Sequence, residues 1–591
     1  MCGIAGLMTV SAKGPQTSLL DVFAKALAHR GPDGSGRHVS GNLAMVHTRL
    51  AIIDVEGGAQ PLTDSGGAAL IANGEIYNYL ELRKEFDDID FTTQSDCEVP
   101  LHLYRRLGTG FAQHLRGMYA IAIHDPAQGR LVLSRDPFGI KPLYYVENDL
   151  GLAFASEPHA LIEAGMVKAE LNPASRDELI QLQFTTGAET PIKEIRRVLP
   201  GETLVVVGGR IVERQRIEAL PEMPEQTETD HQDDEEALLL RLDAALEDSV
   251  RVHQCSDVPY GMFLSGGIDS SVLLALMARL GERPIKAYTV GFPGSKVADE
   301  RAHARHLASL VGAEHVEIDF EEDDFWALLP VVAARVDDPV ADYAILPTWK
   351  LAREAGRDLK VILSGEGGDE LFAGYGRYRS VMRPFWRGGR ILRRHGILDG
   401  FGVLRNPPNG WRDGIAAAGI AAKTPHRSAL QIAQATDIAD WLPNDLLIKL
   451  DRCLMAHSVE GRTPFLDPRL AAEVFNLPDN MKVRRGMGKW LLRRWLDKYL
   501  PQAEPFSPKR GFTVPVSEWI EAQGKRLGPM VAAAPGVAEI CNEDAVRALF
   551  MQRKKRSGFA CWTLLFYALW HRANILQLEP EGDVFDTLSA F

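Results

Sequence analysis

The stretch Phe263-Leu264-Ser265-Gly266-Gly267-Ile268-Asp269-Ser270-Ser271 restricts the fold of this chain more than any other. Apolar residues lead into Ser265 as the end of a strand, and Ile268 to Leu280 sets Val272, Leu273, Leu276 and Leu280 along one helical face. A strand must therefore turn into a helix within a few residues, with the N–H groups of the turn and of the helix N-terminus aimed at an anion. Gly266 and Gly267 let a polyphosphate approach the backbone, Ser265, Ser270 and Ser271 offer hydroxyls, and Asp269 offers an oxygen ligand for Mg²⁺. No Lys follows at the spacing of a Walker A loop, so this is a phosphate turn of another kind.

The surrounding pattern fits such a turn. Strand-like Val258 to Leu264, Ile285 to Val290, His315 to Asp319 and Val361 to Leu363 alternate with helical stretches, which predicts a doubly wound parallel sheet with ligands at the carboxyl ends of its strands. A second glycine-rich acidic string, Ser364-Gly365-Glu366-Gly367-Gly368-Asp369-Glu370, follows the last of these strands. Asp269 and Asp369, each after a strand end and beside glycines, suit a hard cation. His303 and His306 lack a third ligand and read as helix surface; the Arg-rich stretch 383–394 reads as a solvated helix face, and the chain beyond Arg377 as mostly helical.

From Cys2 to about Leu204 the pattern changes to short apolar runs broken by glycines: Ile4 to Val10, Leu43 to Asp54, Ala68 to Ala72, Met118 to His124, Arg130 to Ser134, Leu143 to Val146 and Leu152 to Ala155. These predict strands in stacked sheets, with helices over Leu19 to Ala28 and Glu98 to Arg106 covering them. Between the two regimes, Pro221 to Glu236 is acidic, proline-bearing and poor in large apolar residues, and reads as a linker. A chain of 591 residues exceeds one ordinary core, so two domains or more are expected. The net charge of −13 disfavours nucleic acid or an anionic membrane as partner. Six scattered cysteines without a C-x-x-C pair, and the lack of a membrane-length apolar run or a basic leader, point to a reducing cytoplasm.

The chain opens Met1-Cys2-Gly3-Ile4-Ala5-Gly6 and continues with His29-Arg30-Gly31-Pro32-Asp33, His47 to Ile53, Asn73-Gly74-Glu75-Ile76-Tyr77-Asn78, Ser95-Asp96-Cys97-Glu98 and Arg135 to Gly139. With the two glycine-rich strings, these motifs resemble the glutamine-hydrolysing asparagine synthetases from Cys2 to roughly Trp570. The resemblance implies an N-terminal class II glutaminase of the Ntn type, a four-layer αββα sandwich, over residues 2–204, and a connecting segment over 205–236. It further implies a doubly wound parallel α/β ATP-pyrophosphatase domain with a helical C-terminal part over 237–570, and a tail over 571–591.

The same resemblance assigns roles. Cys2, N-terminal once Met1 is removed, is the nucleophile and its α-amine the base; the Asn73 side chain and the Gly74 N–H form the oxyanion hole. Glutamine lies along Arg49, Leu50, Ala51, Ile52, Ile53, Asn73, Gly74, Glu75 and Asp96, with Arg49 on its carboxylate and Asp96 on its ammonium. ATP, a substrate, lies on Leu264, Ser265, Gly266, Gly267, Asp269, Ser270, Ser271, Val290, Ser364, Gly365 and Lys489; Asp269 and Asp369 hold Mg²⁺, and Glu366 serves adenylation and the ammonia proton. Cys97 reads as a packed thiol. Met455 to Asp467 is a further family string in which Gly461 and Thr463 depart from the commoner residues. The partners implied are glutamine, ATP and aspartate, with no nucleic acid or membrane, and a homodimer is compatible. One rival is the same machinery acting on a sugar uronate or a peptide carboxylate. Others are a β-lactam synthetase type, which lacks the terminal Cys, and a non-catalytic sensor on the same scaffold.

Overall fold

The computed structural model describes residues 2–11, 14–86, 89–222, 234–281, 284–297, 299–384, 386, 391–507 and 514–590. Met1, most of the expected linker (223–233), and 385 and 387–390 of the Arg-rich stretch lie outside the described residues.

The N-terminal strands are β1 (Gly3–Thr9), β2 (Gly34–Ser40), β3 (Leu43–Arg49), β4 (Leu62–Thr63), β5 (Ala69–Ile76), β6 (Gly117–Asp125), β7 (Arg130–Arg135), β8 (Tyr144–Asn148), β9 (Gly151–Ala155), β10 (Arg196–Arg197), β11 (Glu202–Val207) and β12 (Arg210–Arg216). They form two six-stranded antiparallel sheets, ordered β10-β8-β9-β1-β3-β2 and β12-β11-β7-β6-β5-β4. Strand alternation decides what each sheet faces. On β5 and β6, Ala69, Ile71, Ala120 and Ala122 meet Ile4, Met45 and Phe154 of the other sheet. Their neighbours Leu70, Ala72, Tyr119 and Ile121 turn outward onto Val99, Leu103 and Tyr104 of helix Val99–Leu107. Across the first sheet, Leu20 and Phe23 of helix Ser18–Ala26 cover Ala5, Leu7 and Val46. Four layers, αββα, result. Because both faces of the strands are buried, they read as continuous apolar runs in the sequence.

The second sheet extends through Arg216, past the boundary expected at 204. Hairpin β11–β12 turns through Gly208 and Gly209, and β12 is charged and mostly exposed, so it carries no apolar signal.

The C-terminal half adds β13 (Tyr260–Phe263), β14 (Lys286–Gly291), β15 (Glu314–Asp319), β16 (Val361–Leu363) and β17 (Glu460–Arg462), all parallel, in the order β15-β14-β13-β16-β17. Chain order reverses between β13 and β16, so their carboxyl ends flank a crevice, as expected of a doubly wound sheet. Helix Ile268–Leu280 follows β13 and buries Val272, Leu273 and Leu276. Further on the chain is helical, and helix Lys555–Asn574 buries Trp562, Phe566 and Trp570 beside Phe325 and Leu329 of helix Glu322–Arg335. The halves share a core: Leu50, Ile52, Met118 and Phe138 belong to the same apolar cluster as Leu246, Met262, Leu442 and Leu447.

Candidate active site

Cys2 leads into β1 and is 8% exposed. Its N–H donates to Asn73 Oδ1 at 3.0 Å, which fixes the amide so that Asn73 Nδ2, buried and without a hydrogen-bond partner among the described residues, is left as a donor. Gly74, next on β5, has φ +159°, and a Cβ there would overlap the Met118 carbonyl oxygen, so only glycine keeps the strand pairing at this point. Burial pushes the Cys2 thiol up, while a Leu50 N–H hydrogen bond works in the opposite direction.

Of the other expected glutamine contacts, Leu50 and Glu75 act on this thiol. Arg49 closes β3 and donates to the carbonyls of Asp54 (2.6 Å) and Val55 (2.8 Å), while Leu50, Ala51 and Ile52 are buried just beyond it. Asp96, 3% exposed, accepts the Ile76 N–H at 2.7 Å; burial pushes its carboxyl up. Cys97 lies against Asp96 and the Gly74 carbonyl, and burial drives its thiol well above the ordinary range, in keeping with a packed thiol.

Arg30, Asp451, Glu460 and Arg462, to which the sequence assigned no role, also contribute to this site. Arg30, fully buried, donates from Nε to the Cys2 carbonyl at 3.2 Å and holds Asp451 through two bonds at 2.8 and 3.0 Å; Asp451 belongs to helix Leu447–Met455 of the C-terminal half. Arg462 on β17 reaches Glu75 at 3.3 Å and Glu460 at 2.5 Å. Burial, Glu460 and Asp96 together keep the Glu75 carboxyl well above the usual range despite Arg462. The family string 455–467 therefore supplies side chains to the other domain. Around it, Arg452 pairs with Asp337 at 3.0 Å, and His159 with Asp337 at 3.2 Å. Glu157, His159 and Asp337 converge as a metal set would, but Arg30 and Arg452 already neutralise them.

The second site is a cavity of about 460 Å³ at the crevice between β13 and β16. It is lined by the 263–270 turn, by Val290 near the end of β14, and by Ser364, Gly365, Glu366 and Asp369 after β16, which places all the sequence-selected nucleotide residues on it except Ser271. Ser271 is buried in the first turn of helix Ile268–Leu280. Lys489 Nζ bridges Asp269 and Asp369, the latter at 2.8 Å. Burial alone would lower the ammonium, but the two carboxylates raise it to about 12. Two carboxylates meeting at one cation, at the mouth of a phosphate turn, form a donor set suited to Mg²⁺.

Ser364 Oγ donates to Glu366. Glu370, bonded to Tyr375 Oη at 2.7 Å, is raised to about 7 by burial and by the neighbouring Asp369 carboxylate. Gly374 was not singled out in the sequence, yet a Cβ there would overlap Asp369 Oδ1 and Lys489 Cε. His303, read as helix surface, instead lines the cavity beside Gly266, because its helix packs its N-terminal turn on the phosphate loop; His306 is exposed.

Comparison with known proteins follows this division. The asparagine synthase family pattern matches residues 241–572 and the glutamine amidotransferase domain pattern residues 1–216. The chain is 31% identical to asparagine synthetase [glutamine-hydrolyzing] 1 of Bacillus subtilis, over 99% of this chain and 100% of that protein. It is 30% identical to asparagine synthetase B [glutamine-hydrolyzing] of Escherichia coli, over 88% and 84%. Among solved structures, the allosteric regulatory enzyme of purine biosynthesis matches 54% of this chain and 80% of its own at 16% identity, with a TM-score of 0.30.

Proposed function

The chain belongs to the glutamine-hydrolysing asparagine synthetases, and on that premise we propose how its two sites divide the reaction. It is an ATP-dependent carbon–nitrogen ligase: ATP, L-aspartate, L-glutamine and water become AMP, pyrophosphate, L-asparagine and L-glutamate.

At the N-terminal site, the Cys2 α-amine, exposed by removal of Met1 and titrating near pH ~8, takes the thiol proton. The thiolate attacks the glutamine side-chain amide, Asn73 Nδ2 and the Gly74 N–H stabilise the oxyanion, and ammonia leaves; water then splits the thioester to glutamate. Arg49, Asp96 and Glu75 hold the amino-acid end, and Leu50 to Ile53 wall it in.

At the C-terminal site, Ser265, Gly266, Gly267 and Ser270 cradle the pyrophosphate portion of ATP, and Leu264, Val290, Ser364 and Gly365 line the nucleoside; Ser271, buried in the helix behind the turn, has no place on the cavity wall. Asp269 and Asp369 would hold Mg²⁺, which offsets polyphosphate charge when bound. Lys489 neutralises the same carboxylates and phosphates. The aspartate β-carboxylate attacks the α-phosphorus, releasing pyrophosphate and leaving β-aspartyl-AMP; ammonia displaces AMP, with Glu366 placed to take a proton from the attacking nitrogen.

The observation that carries this reading is the presence in one chain of both complete sets: Cys2 beside an Asn73 donor, and Asp269, Asp369 and Lys489 beside a phosphate turn. We place the work in the cytoplasm, supported by six free cysteines, five of them buried; no described helix is long and apolar enough to cross a membrane. A homodimer is part of the proposal by resemblance alone. Pyrophosphate release with ATP and L-aspartate, against a panel of uronates and peptide carboxylates, tests the acceptor. The reading expects release with aspartate, and release with a uronate alone would overturn it.

A further inference from the structure

The cavity holds a second ion pair that none of these roles uses. Lys449, on helix Leu447–Met455, is 6% exposed, and its Nζ donates to Asp342 Oδ2 at 2.6 Å. Asp342 is itself fixed, its Oδ1 accepting the Ala344 N–H at 3.0 Å. Both line the cavity together with Tyr343, Leu446 and Glu366. The carboxylates acting on Lys449 are Asp342, Glu366 and Asp445, whereas those acting on Lys489 are Asp269 and Asp369, so the two lysines serve different parts of one cavity.

Burying an ion pair costs desolvation that its mutual attraction does not reliably offset, and apolar residues of the same size would fold as well. A pair kept on a cavity wall therefore calls for a ligand. An ammonium has three N–H donors and Asp342 takes one; a carboxylate has lone pairs for about four donors and Asp342 has accepted two. The open valences are those that a zwitterion fills, with its carboxylate on the lysine and its ammonium on the aspartate. Glu366 and Ser364 line the same cavity as this anchor.

We propose that Lys449 and Asp342 bind the α-carboxylate and α-ammonium of the acceptor, and thereby select an amino acid over a carboxylate without that head. This rests on the reading of the cavity as the adenylating site. Steady-state kinetics with ammonium as nitrogen donor, followed by pyrophosphate release, test it in the full-length enzyme. Lys449→Met is expected to raise the aspartate KM about 100-fold or more, the scale of breaking a buried charge pair, with the ATP KM within twofold and glutamine hydrolysis retained. Lys449→Arg is expected to restore most of the loss. A merely structural lysine would lower kcat and raise the ATP KM alongside the aspartate KM, and that pattern overturns the proposal. So does an aspartate KM within twofold of wild type. If Lys449→Met loses glutamine hydrolysis through misfolding, the isosteric Asp342→Asn carries the same test with the same two outcomes. Wild-type enzyme that releases no pyrophosphate with aspartate would instead defeat the reading of the cavity, whatever the variants do.

Discussion

Asp96 is a buried carboxylate whose firm hydrogen bond comes from a single backbone N–H, with the Ser95 hydroxyl at 3.5 Å and the Cys97 thiol at 3.6 Å as weak additions. A cation arriving there regains what burial removed, as the ammonium of glutamine would. Because breaking a buried charge pair costs about 3–5 kcal/mol, Asp96→Ala should lower kcat/KM for glutamine by about 10²–10³-fold and leave synthesis from ammonium nearly intact. Normal glutamine kinetics in that variant would make Asp96 a packing residue. In the other site, Glu366→Gln should still bind nucleotide but form asparagine far more slowly, at least about 10²-fold if it acts in proton transfer; unchanged turnover would leave it a turn residue. Glu366 was legible because it sits in a dense glycine-rich string, and Asp96 because Ser95-Asp96-Cys97-Glu98 follows the other family motifs in order. Arg30, Lys449 and Asp451 were not, since Arg30 and Asp451 are 421 positions apart and Lys449 and Asp342 are 107 apart, and only the folded chain brings each pair together.

At the scale of elements, the turns after β13 and β16 do the positioning, and their tolerance for added atoms is small. A Cβ on Gly374 would overlap Asp369 Oδ1 and Lys489 Cε, so Gly374→Ala should displace both and abolish aspartate-dependent pyrophosphate release while glutamine hydrolysis continues. Wild-type release from that variant would show that the turn yields without consequence. Elements with buried, continuous apolar runs were readable: helix Ile268–Leu280 and strand Val361–Leu363 have the bounds their periodicity suggests. Strands β2 and β12, edge strands with exposed polar side chains, gave no such signal. Strand β17 is three residues of Glu, Gly and Arg, and its place in the sheet comes from pairing with β16 rather than from any propensity.

For the whole molecule, the fold class and the two-site division were readable, but the charge-lined seam between the halves was not. That seam makes a pH-dependent contribution. Burial alone would lower His159, yet Asp337 and Glu157 raise it to about 9, so its stabilisation is complete below the unfolded value near 6.5 and is lost as pH rises through 9. The stability advantage of wild type over His159→Gln, measured by denaturant unfolding, should therefore be full at pH 6 and vanish by about pH 10; a pH-independent difference would contradict the charged pair. Glu460 behaves oppositely. Burial would raise it, but the N-terminal charge, Arg462 and Lys141 hold it at about 2, and its contribution is lost only as pH falls from the ordinary carboxylate range toward 2.

The central claim is that one chain carries two complete sites, one that frees ammonia at Cys2 and one that activates aspartate at the β13–β16 crevice. The most direct measurement is asparagine formation by Cys2→Ala, assayed in parallel with glutamine and with ammonium as nitrogen source. The account predicts that synthesis from glutamine disappears while synthesis from ammonium persists at a rate near that of wild type. A folded variant that loses both activities equally, or keeps both, would contradict it.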